Sequence, residues 1–252
     1  MEHFSNPFGR AELASVSALE NQAFFEGLSL RAKAHRFFSH PFFSKLEGGA
    51  PSRTVASFIL TSFYQVVAPF TGLLCSLAGR APSLRARFAL MDNIYEEMGC
   101  GRLADAHPNL YLKMLSSVGI SQHSAENMAT LPAIGRLNQH LRSVVDHADF
   151  AVACAVLASA EATIAPSFPV LSAIAQQAFA DVDTMFFDRH GSRDDGHAGD
   201  ASMLFAVSAH VTDFAAAETE VMIDLDLRCE LNDAWLAACS GRHETQRAGG
   251  FG

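Results

Sequence analysis

The most apolar part of the chain reads FAVACAVLASAE from Phe150 to Glu161. A helix that is apolar on every side belongs in the middle of a folded core. We therefore predict a long central helix from about Ala133 to Ile164, which the pair Pro166 and Pro169 should end. A glutamate directly after such a stretch would lose its hydration at a large cost, so Glu161 should be paired with a base or bound to a metal.

The rest of the chain has the same helical character. Apolar residues recur at helical spacing, whereas the alternating pattern and Asn-Gly or Asp-Gly turns typical of strands are nearly absent. The predicted helices run from Ala11 to Phe38, from Pro51 to Gly79 with a kink at Pro69, from Pro82 to Gly99, from Pro108 to Gly119, and, as one or two helices, from Met203 to Cys239. In the helix that begins at Pro82, the apolar side is assigned to Leu84, Phe88, Met91, Ile94, Tyr95 and Met98. The sequence predicts an all-α fold, with one domain over residues 1–240 and a disordered tail at 241–252.

Composition limits the location and the partners. The formal net charge of −9 and the pI of about 5.6, without a clustered basic face, argue against a nucleic-acid partner. The five cysteines are widely spaced and form no CxxC, which favours a reducing cytoplasm over a disulfide framework. The N-terminus lacks the pattern of a signal peptide, and the uncharged run from Phe150 to Ala160 is shorter than the roughly 20 residues that span a bilayer. We expect a cytoplasmic protein with no membrane partner.

The segment from Phe186 to Asp200 carries residue types that bind metals. His190, Asp194 and His197 stand at i, i+4 and i+7, so on one helix they would share a face. The segment also contains three glycines, each of which costs a helix interior roughly 1 kcal/mol relative to Ala. A bound metal would stabilise such a helix despite its glycines, and Asp195 is the second choice for the carboxylate ligand. The other interpretation is coincidence, because a chain with eleven histidines contains some pair at this spacing by chance.

Two more candidates flank a Gly-x-Gly loop. Glu97 and its neighbour Glu96 stand at the C-terminal end of a predicted helix, where the helix dipole disfavours carboxylates unless a cation is near. His107 is predicted at the N-cap of the helix that Pro108 opens, where the positive helix end favours the neutral imidazole that a metal requires. The alternatives are ordinary surface acids, a capping or core histidine, and, for Glu161, a salt-bridged or water-facing carboxylate.

The candidates together suggest more than one metal ion. The six are Glu97, His107, Glu161, His190, Asp194 and His197. A zinc hydrolase uses three protein ligands and a water, so this set is too large for one such site. Mixed carboxylate and imidazole donors suit iron or manganese, and six of them suit two metals that share a carboxylate. The sequence has no Glu-x-x-His motif, so the fold should differ from that of the ferritin-like di-iron proteins.

This pattern resembles the haem-oxygenase-like di-iron oxidases and oxygenases, whose superfamily also contains the TenA thiaminases and the PQQ-synthesis protein C. The motifs are Glu96-Glu97-x-Gly-x-Gly followed by His107-Pro108, a lone Glu161, and His190-x3-Asp194-x2-His197, all between Phe58 and Ala206. The resemblance implies a single-domain bundle of about seven or eight helices that holds two Fe(II) ions and uses O2 as co-substrate. It implies a small amino-acid-derived or fatty-acid-like substrate in natural-product biosynthesis, oxidised by N-oxygenation, oxidative C–C cleavage or desaturation, and leaves room for an external electron donor.

The resemblance also assigns roles to the residues. Glu97 would bridge the irons, His107, Glu161 and His197 would bind one of them, and His190 with Asp194 the other. The last ligand segment is expected to order only when iron binds. Some N-oxygenating members add a carboxylate from the helix upstream, but residues 51–80 contain no acid. Phe58, Phe63 and Phe70 are expected to wall a dry pocket, and the sequence offers no clear anchor for a substrate carboxylate or phosphate.

Two other functions stay open. One is a metal-independent enzyme like the thiaminases, with Cys100 as nucleophile, which would leave His190, Asp194 and His197 unexplained. The other is a non-catalytic helical binding protein that keeps a vestigial site. A homodimer is compatible with this kind of fold, although no heptad or exposed apolar stripe in the sequence establishes one.

Overall fold

The computed structural model describes residues 16–44, 49, 51–190 and 194–241, with the backbone alone for residues 190 and 194–200. Within these ranges every regular element is helical, which confirms the all-α prediction. The α-helices are α1 (Val16–Lys33), α2 (Arg53–Val67), α3 (Phe70–Arg80), α4 (Leu84–Glu97), α5 (His107–Ser117), α6 (Gln122–Glu126), α7 (Pro132–His147), α8 (Phe150–Ala162), α9 (Ile164–Ala178), α10 (Met185–His190), α11 (Asp194–Ser208) and α12 (Phe214–Cys239). Residues 242–252 of the predicted disordered tail lie outside the described residues. The single domain over residues 1–240 stays a prediction.

The helix α8 lies at the centre of the bundle, as its composition predicts. Every residue from Ala151 to Glu161 is buried. The helices α7, α9, α11 and α12 all pack against α8, and α1 covers the outer side of α11 and α12. Small residues dominate α8, so these neighbours can approach it closely. Glu161 is consequently held in the interior of the molecule.

The long helix predicted from Ala133 to Ile164 is in fact two helices. Ala148 and Asp149 have extended backbone, with ψ of 164° and 147°, and this separates α7 from α8. The guanidinium of Arg80 donates to the carbonyl oxygens of Val145 and Ala148, which satisfies acceptors at the end of α7 that have no partner within the helix. Neither Pro nor Gly marks this break, so apolar periodicity alone could not reveal it.

Prolines act differently in the two places where breaks are expected. The kink predicted at Pro69 is confirmed and is strong enough to separate α2 from α3. The prediction that Pro166 and Pro169 end a helix is wrong, because both lie within α9. Pro166 is in the first turn, where a backbone N–H has no helical partner to lose. The change from α8 to α9 instead occurs at Thr163, whose hydroxyl donates to the carbonyl oxygen of Ala160 over 2.6 Å.

The helix α4 buries the opposite side from the one predicted. Most of the predicted core residues are exposed, with exposed fractions of 80% for Leu84, 51% for Phe88, 48% for Met91, 46% for Tyr95 and 42% for Met98. The buried face instead consists of Ala86, Ala89, Leu90, Asn93 and Ile94, and Glu97 continues it. Alanines allow α4 to pack closely against α3, so small residues rather than large ones mark its core side. This register turns Glu97 inward.

The helix α12 is tied to α2 by Trp235. Its indole Nε1 donates to the hydroxyl of Ser62 over 2.9 Å, and the indole is only 2% exposed. The ring centroid lies 5.9 Å from that of Phe63 and 5.4 Å from that of Phe42. This contact joins the last helix to the first half of the chain.

Two stretches, Arg53–Arg80 and Phe150–Ala178, are long and apolar enough by composition to cross a bilayer. Both stretches are longer than the uncharged run from Phe150 to Ala160. Core helices of folded bundles share this composition, and 61% of the most apolar window in the second stretch is buried inside the bundle.

Candidate metal centre

Three of the six predicted ligands meet at one cavity. Glu97, His107 and Glu161 are 5%, 8% and 3% exposed, and all three line a cavity with a volume of about 80 Å³. They come from α4, α5 and α8 respectively. Apolar side chains form most of the remaining wall: Phe63, Val66, Val67, Phe70, Leu141, Ile164, Phe168 and Phe186. The bundle therefore brings two carboxylates and an imidazole into an apolar interior.

A tight turn joins Glu97 to His107. After α4 ends at Glu97, three successive residues, Gly99, Cys100 and Gly101, have φ values of 74°, 53° and 85°. A Cβ on Gly99 would lie 2.4 Å from the carbonyl oxygen of Arg102, so the turn requires glycine there. The loop that the sequence singled out thus reverses the chain within a few residues.

His107 begins α5 rather than capping it. Ala106 is the N-cap, with extended backbone and a carbonyl that accepts from the N–H of Leu110 over 2.9 Å. The predicted boundary is therefore wrong by one residue, and Pro108 is the second helical residue. His107 is therefore in the first turn of α5, where the backbone holds its side chain at the cavity.

The spacing of these side chains fits a shared cation. Nδ1 of His107 and Oε1 of Glu97 lie 2.9 Å apart. This is the distance of a hydrogen-bonded pair, and it also brings both atoms close enough to share one cation. Mixed imidazole and carboxylate donors are also the types that iron and manganese accept. Glu97 and His107 are therefore suited in donor type and in spacing to form part of a metal site.

Glu161 supports the same interpretation by its burial. Because its exposed fraction is 3%, the alternative of a carboxylate that faces water is wrong. A carboxylate in an interior of this kind is stable when hydrogen bonds or a cation compensate its lost hydration. The cavity gives it direct access to a ligand.

The second half of the predicted ligand set lies largely outside the described residues. His190 is the last residue of α10 and Asp194 is the first of α11, and residues 191–193 between them lie outside the described residues. The side chains of His190, Asp194 and His197 are not described, and their role as ligands stays a prediction. Among the side chains that are described, no group of three or more potential ligands is close enough to hold a metal alone.

Described contacts do place the end of α10 beside the cavity. Phe186 lines the cavity, and its ring centroid lies 6.3 Å from that of His107. Nη2 of Arg189 lies 3.6 Å from Oδ2 of Asp105, in the loop between Glu97 and His107. The backbone of His190 follows directly after Arg189. The end of α10, which carries His190, therefore lies close to the cavity that Glu97, His107 and Glu161 line.

A charged pair on α12 is the main feature that the sequence analysis missed. Arg228 lines the cavity, and its Nε donates to Oδ2 of Asp224 over 2.8 Å. Asp224 is completely buried. An Asp and an Arg four residues apart look like an ordinary surface pair, but the buried Val221 and Leu225 beside them could have shown that this face is internal. Arg228 is therefore a candidate anchor for a substrate anion, although the sequence offered no clear one.

The predicted aromatic wall is partly confirmed. Phe63 and Phe70 line the cavity, whereas Phe58 is not among its lining residues. Phe168 and Phe186 complete the aromatic wall and were not identified from the sequence. Phe168 follows Pro166 in a stretch that was expected to be a helix end, which explains why it was overlooked.

The cysteines give little support to a nucleophile at this site. Cys100 is exposed and is not among the described residues that line the cavity. Burial raises the pKa of the Cys154 thiol and raises that of Cys229 to about 11, so both are protonated at neutral pH. A thiolate, rather than a thiol, is the nucleophilic form.

Comparison with known proteins identifies a family and a fold. A family model described as iron-containing redox enzyme matches residues 58–231. Similar solved structures include a CADD-like protein of unknown function from Nostoc punctiforme, with 16% identity, coverage of 88% of this chain and 99% of that one, and a TM-score of 0.72. A domain of unknown function with a haem-oxygenase-like fold from Shewanella denitrificans has 16% identity, coverage of 92% and 96%, and a TM-score of 0.68. A TenA homologue from Pseudomonas syringae pv. tomato has 15% identity, coverage of 94% and 98%, and a TM-score of 0.66.

No curated protein matches significantly in sequence. At these identities the structural likeness shows the fold alone, which is that of the haem-oxygenase-like helical proteins. The structure divides this fold into more helical segments than the seven or eight implied by the resemblance, because long helices are interrupted at Pro69, at Ala148–Asp149 and at Thr163.

Proposed function

Since the chain belongs to the family of iron-containing redox enzymes, we propose that it is a non-haem di-iron oxygenase or oxidase that uses O2 to oxidise a small substrate. The observation that supports this most is the convergence of Glu97, His107 and Glu161 at one cavity. Two carboxylates and an imidazole buried together would be costly without a cation. Their donor types are the ones that suit iron.

Within this proposal each ligand has a defined role. Glu97 would be shared by the two Fe(II) ions, His107, Glu161 and His197 would hold one of them, and His190 with Asp194 would hold the other. The two ions, when bound, supply electrons for the reduction of O2. The placement of α10 by Phe186 and Arg189 supports the part assigned to His190.

The protein's own contribution is to position groups and exclude water. The turn through Gly99 holds Glu97 and His107 at a spacing of 2.9 Å between their nearest atoms. The aromatic side chains of Phe63, Phe70 and Phe168 surround the donors with apolar surface. Electrostatic interactions are stronger in such an interior than in water. The same apolar wall would contact the hydrocarbon part of an amino-acid-derived or fatty-acid-like substrate.

The proposed reaction is N-oxygenation, oxidative C–C cleavage or desaturation in natural-product biosynthesis, with an external electron donor where the reaction requires one. We propose a cytoplasmic setting, because all five cysteines are free thiols, as a reducing compartment maintains them.

Anaerobic loading with Fe(II) tests the proposal directly. We expect about two irons per chain, and O2 consumption with a transient visible absorption when air is admitted. His190→Ala should reduce iron uptake, whereas His123→Ala, which changes an exposed histidine on α6, should not. Absence of iron uptake, or undiminished uptake by His190→Ala, would contradict the proposal.

The ordering of the last ligand segment has a separate test. If iron fixes this segment, amide hydrogen exchange from Gly191 to Gly199 should slow on loading. Equal exchange rates with and without iron would contradict that part and leave the assignment of the ligands intact.

A metal-independent enzyme is the second candidate, supported by the likeness in fold to a TenA homologue. The exposed position of Cys100 weighs against a nucleophile in the cavity. Full activity after exhaustive chelation would favour this candidate.

A further inference from the structure

One basic side chain reaches the cavity that holds the three candidate iron ligands. Among the described residues that line it, Arg228 is the only Lys or Arg, whereas Glu97 and Glu161 provide negative charge. The side chain of Arg228 is 13% exposed, so its charge has lost most of its hydration. Placing a guanidinium beside an apolar cavity is costly unless it has partners there.

The protein supplies one partner and leaves part of the guanidinium available. Nε donates to Oδ2 of Asp224, which is fully buried four residues earlier on α12. Among the described residues no acceptor is found for the two Nη groups. These two groups form the end of the planar fork, which matches the two oxygens of a carboxylate. Asp224 therefore fixes the plane of the guanidinium from the Nε side and leaves this end for a ligand.

We propose that Arg228 binds the carboxylate of the substrate, so that the cavity accepts a small carboxylic acid with an apolar body. This inference rests on the proposed function, because the acid bound there would be the molecule that is oxidised. Asp224 acts as a positioning residue that holds the guanidinium towards the cavity.

A monoanion fits this site better than a dianion such as phosphate. Asp224 already balances the positive charge of Arg228, and Glu97 and Glu161 repel further negative charge. The remaining wall is formed by residues such as Val66, Phe70 and Leu141, which offer no hydrogen bonds from their side chains. A single carboxylate with a hydrocarbon chain satisfies both parts of the cavity.

Calorimetric titration with hexanoate, hexanamide and inorganic phosphate tests the proposal. The full chain is used both metal-free and iron-loaded, and iron content is measured separately. We expect hexanoate to bind at least about 10-fold more tightly than hexanamide, because a charge-assisted pair is stronger than a neutral hydrogen bond. Phosphate should bind more weakly than hexanoate.

The variants are chosen so that folding does not obscure the result. Asp224→Asn with Arg228→Gln neutralises both partners and avoids a buried unpaired charge. This double variant should lose the preference for hexanoate over hexanamide and still load iron. Arg228→Lys should keep part of the preference, since it retains the charge without the fork. Arg136→Gln, which removes an exposed arginine paired with Glu230, should behave as the wild type.

The outcomes separate this inference from the proposed function. Equal affinity for acid and amide in the wild type, or an unchanged preference in the double variant, would overturn the inference. Hexanoate binding that appears only in iron-loaded protein and survives in the double variant would assign the carboxylate to the metal instead. Binding that depends on Arg228 in a chain that takes up no iron would support the inference while contradicting the di-iron function.

Discussion

The cavity has two charged sides that are assembled in opposite ways. The acid–imidazole side consists of Glu97, His107 and Glu161, which come from three helices. The guanidinium side consists of Asp224 and Arg228, which are one turn apart on α12. The first side exists only when the bundle has brought α4, α5 and α8 together, whereas the second is local to one helix. The proposed chemistry thus depends on the tertiary fold on one side and on the burial of a single helix face on the other.

The largest expected effect is on the acid–imidazole side. Glu161→Gln keeps the size of the side chain and removes the charge that would bind iron. We expect the affinity for iron to fall by more than the roughly 100-fold that loss of an outer-shell partner can cost. Metal analysis after anaerobic loading measures this, with Glu218→Gln on the exposed surface of α12 as control. If the variant loads as much iron as the wild type, the acid–imidazole side is not a metal site.

On the guanidinium side, the main expected effect of a substitution is a loss of folding stability. Arg228→Met alone leaves the buried Asp224 without its partner, which should reduce the free energy of unfolding by about 3–5 kcal/mol. Asp224→Leu combined with Arg228→Met should recover most of this loss, because an apolar pair needs no compensation. Urea denaturation compares the two variants. A double variant as unstable as Arg228→Met would show that the charged pair is not the cause.

The two sides of the cavity also differ in how clearly the sequence indicates them. Glu161 was identified because a carboxylate after an uninterrupted apolar run is unusual in any helix. Asp224 and Arg228 were missed because their spacing is equally common on exposed helices, and the sign of burial in the sequence is that the apolar Val221 and Leu225 lie beside them. The sequence therefore predicted an all-α fold and a site at Glu97, His107 and Glu161, but not the basic side of the same cavity.

Helix registers and breaks show the same limit. Large apolar residues on α4 suggested the wrong core side, because the alanines that pack against α3 carry little hydrophobic signal. Arg80, a residue about 70 positions earlier, donates to the carbonyl oxygens at the break between α7 and α8, and the local sign of the break is Asp149, a residue type common at helix N-caps. Helix registers and helix breaks that involve distant contacts cannot be predicted from the spacing of apolar residues alone.

The turn between Glu97 and His107 offers a smaller test of the acid–imidazole side. Gly99→Ala forces a Cβ to within 2.4 Å of a backbone oxygen at a φ of 74°. We expect a loss of about 1–3 kcal/mol in the free energy of unfolding and weaker iron binding. Gly79→Ala is the matched control: a Cβ there meets nothing within 4 Å, and α3 should gain about 0.5–1 kcal/mol. Thermal denaturation and iron titration distinguish the two changes.

The smallest effect is expected for the contact between α10 and the loop. Arg189→Gln removes the ion pair with Asp105, which is partly exposed and should contribute less than about 1 kcal/mol. If this pair helps to place His190, the variant should bind the second iron more weakly while its stability changes little. A titration followed by iron analysis would detect this, and identical loading of both irons would show that the pair is dispensable.

Trp235 gives the molecule a built-in optical probe. It is the only tryptophan in the chain, and its ring lies 5.9 Å from that of Phe63, which lines the cavity. The intrinsic fluorescence of the protein therefore arises from one buried indole on the helix that also carries Arg228. Iron loading, binding of an acid and unfolding should each change this emission, so all three can be followed on unlabelled protein.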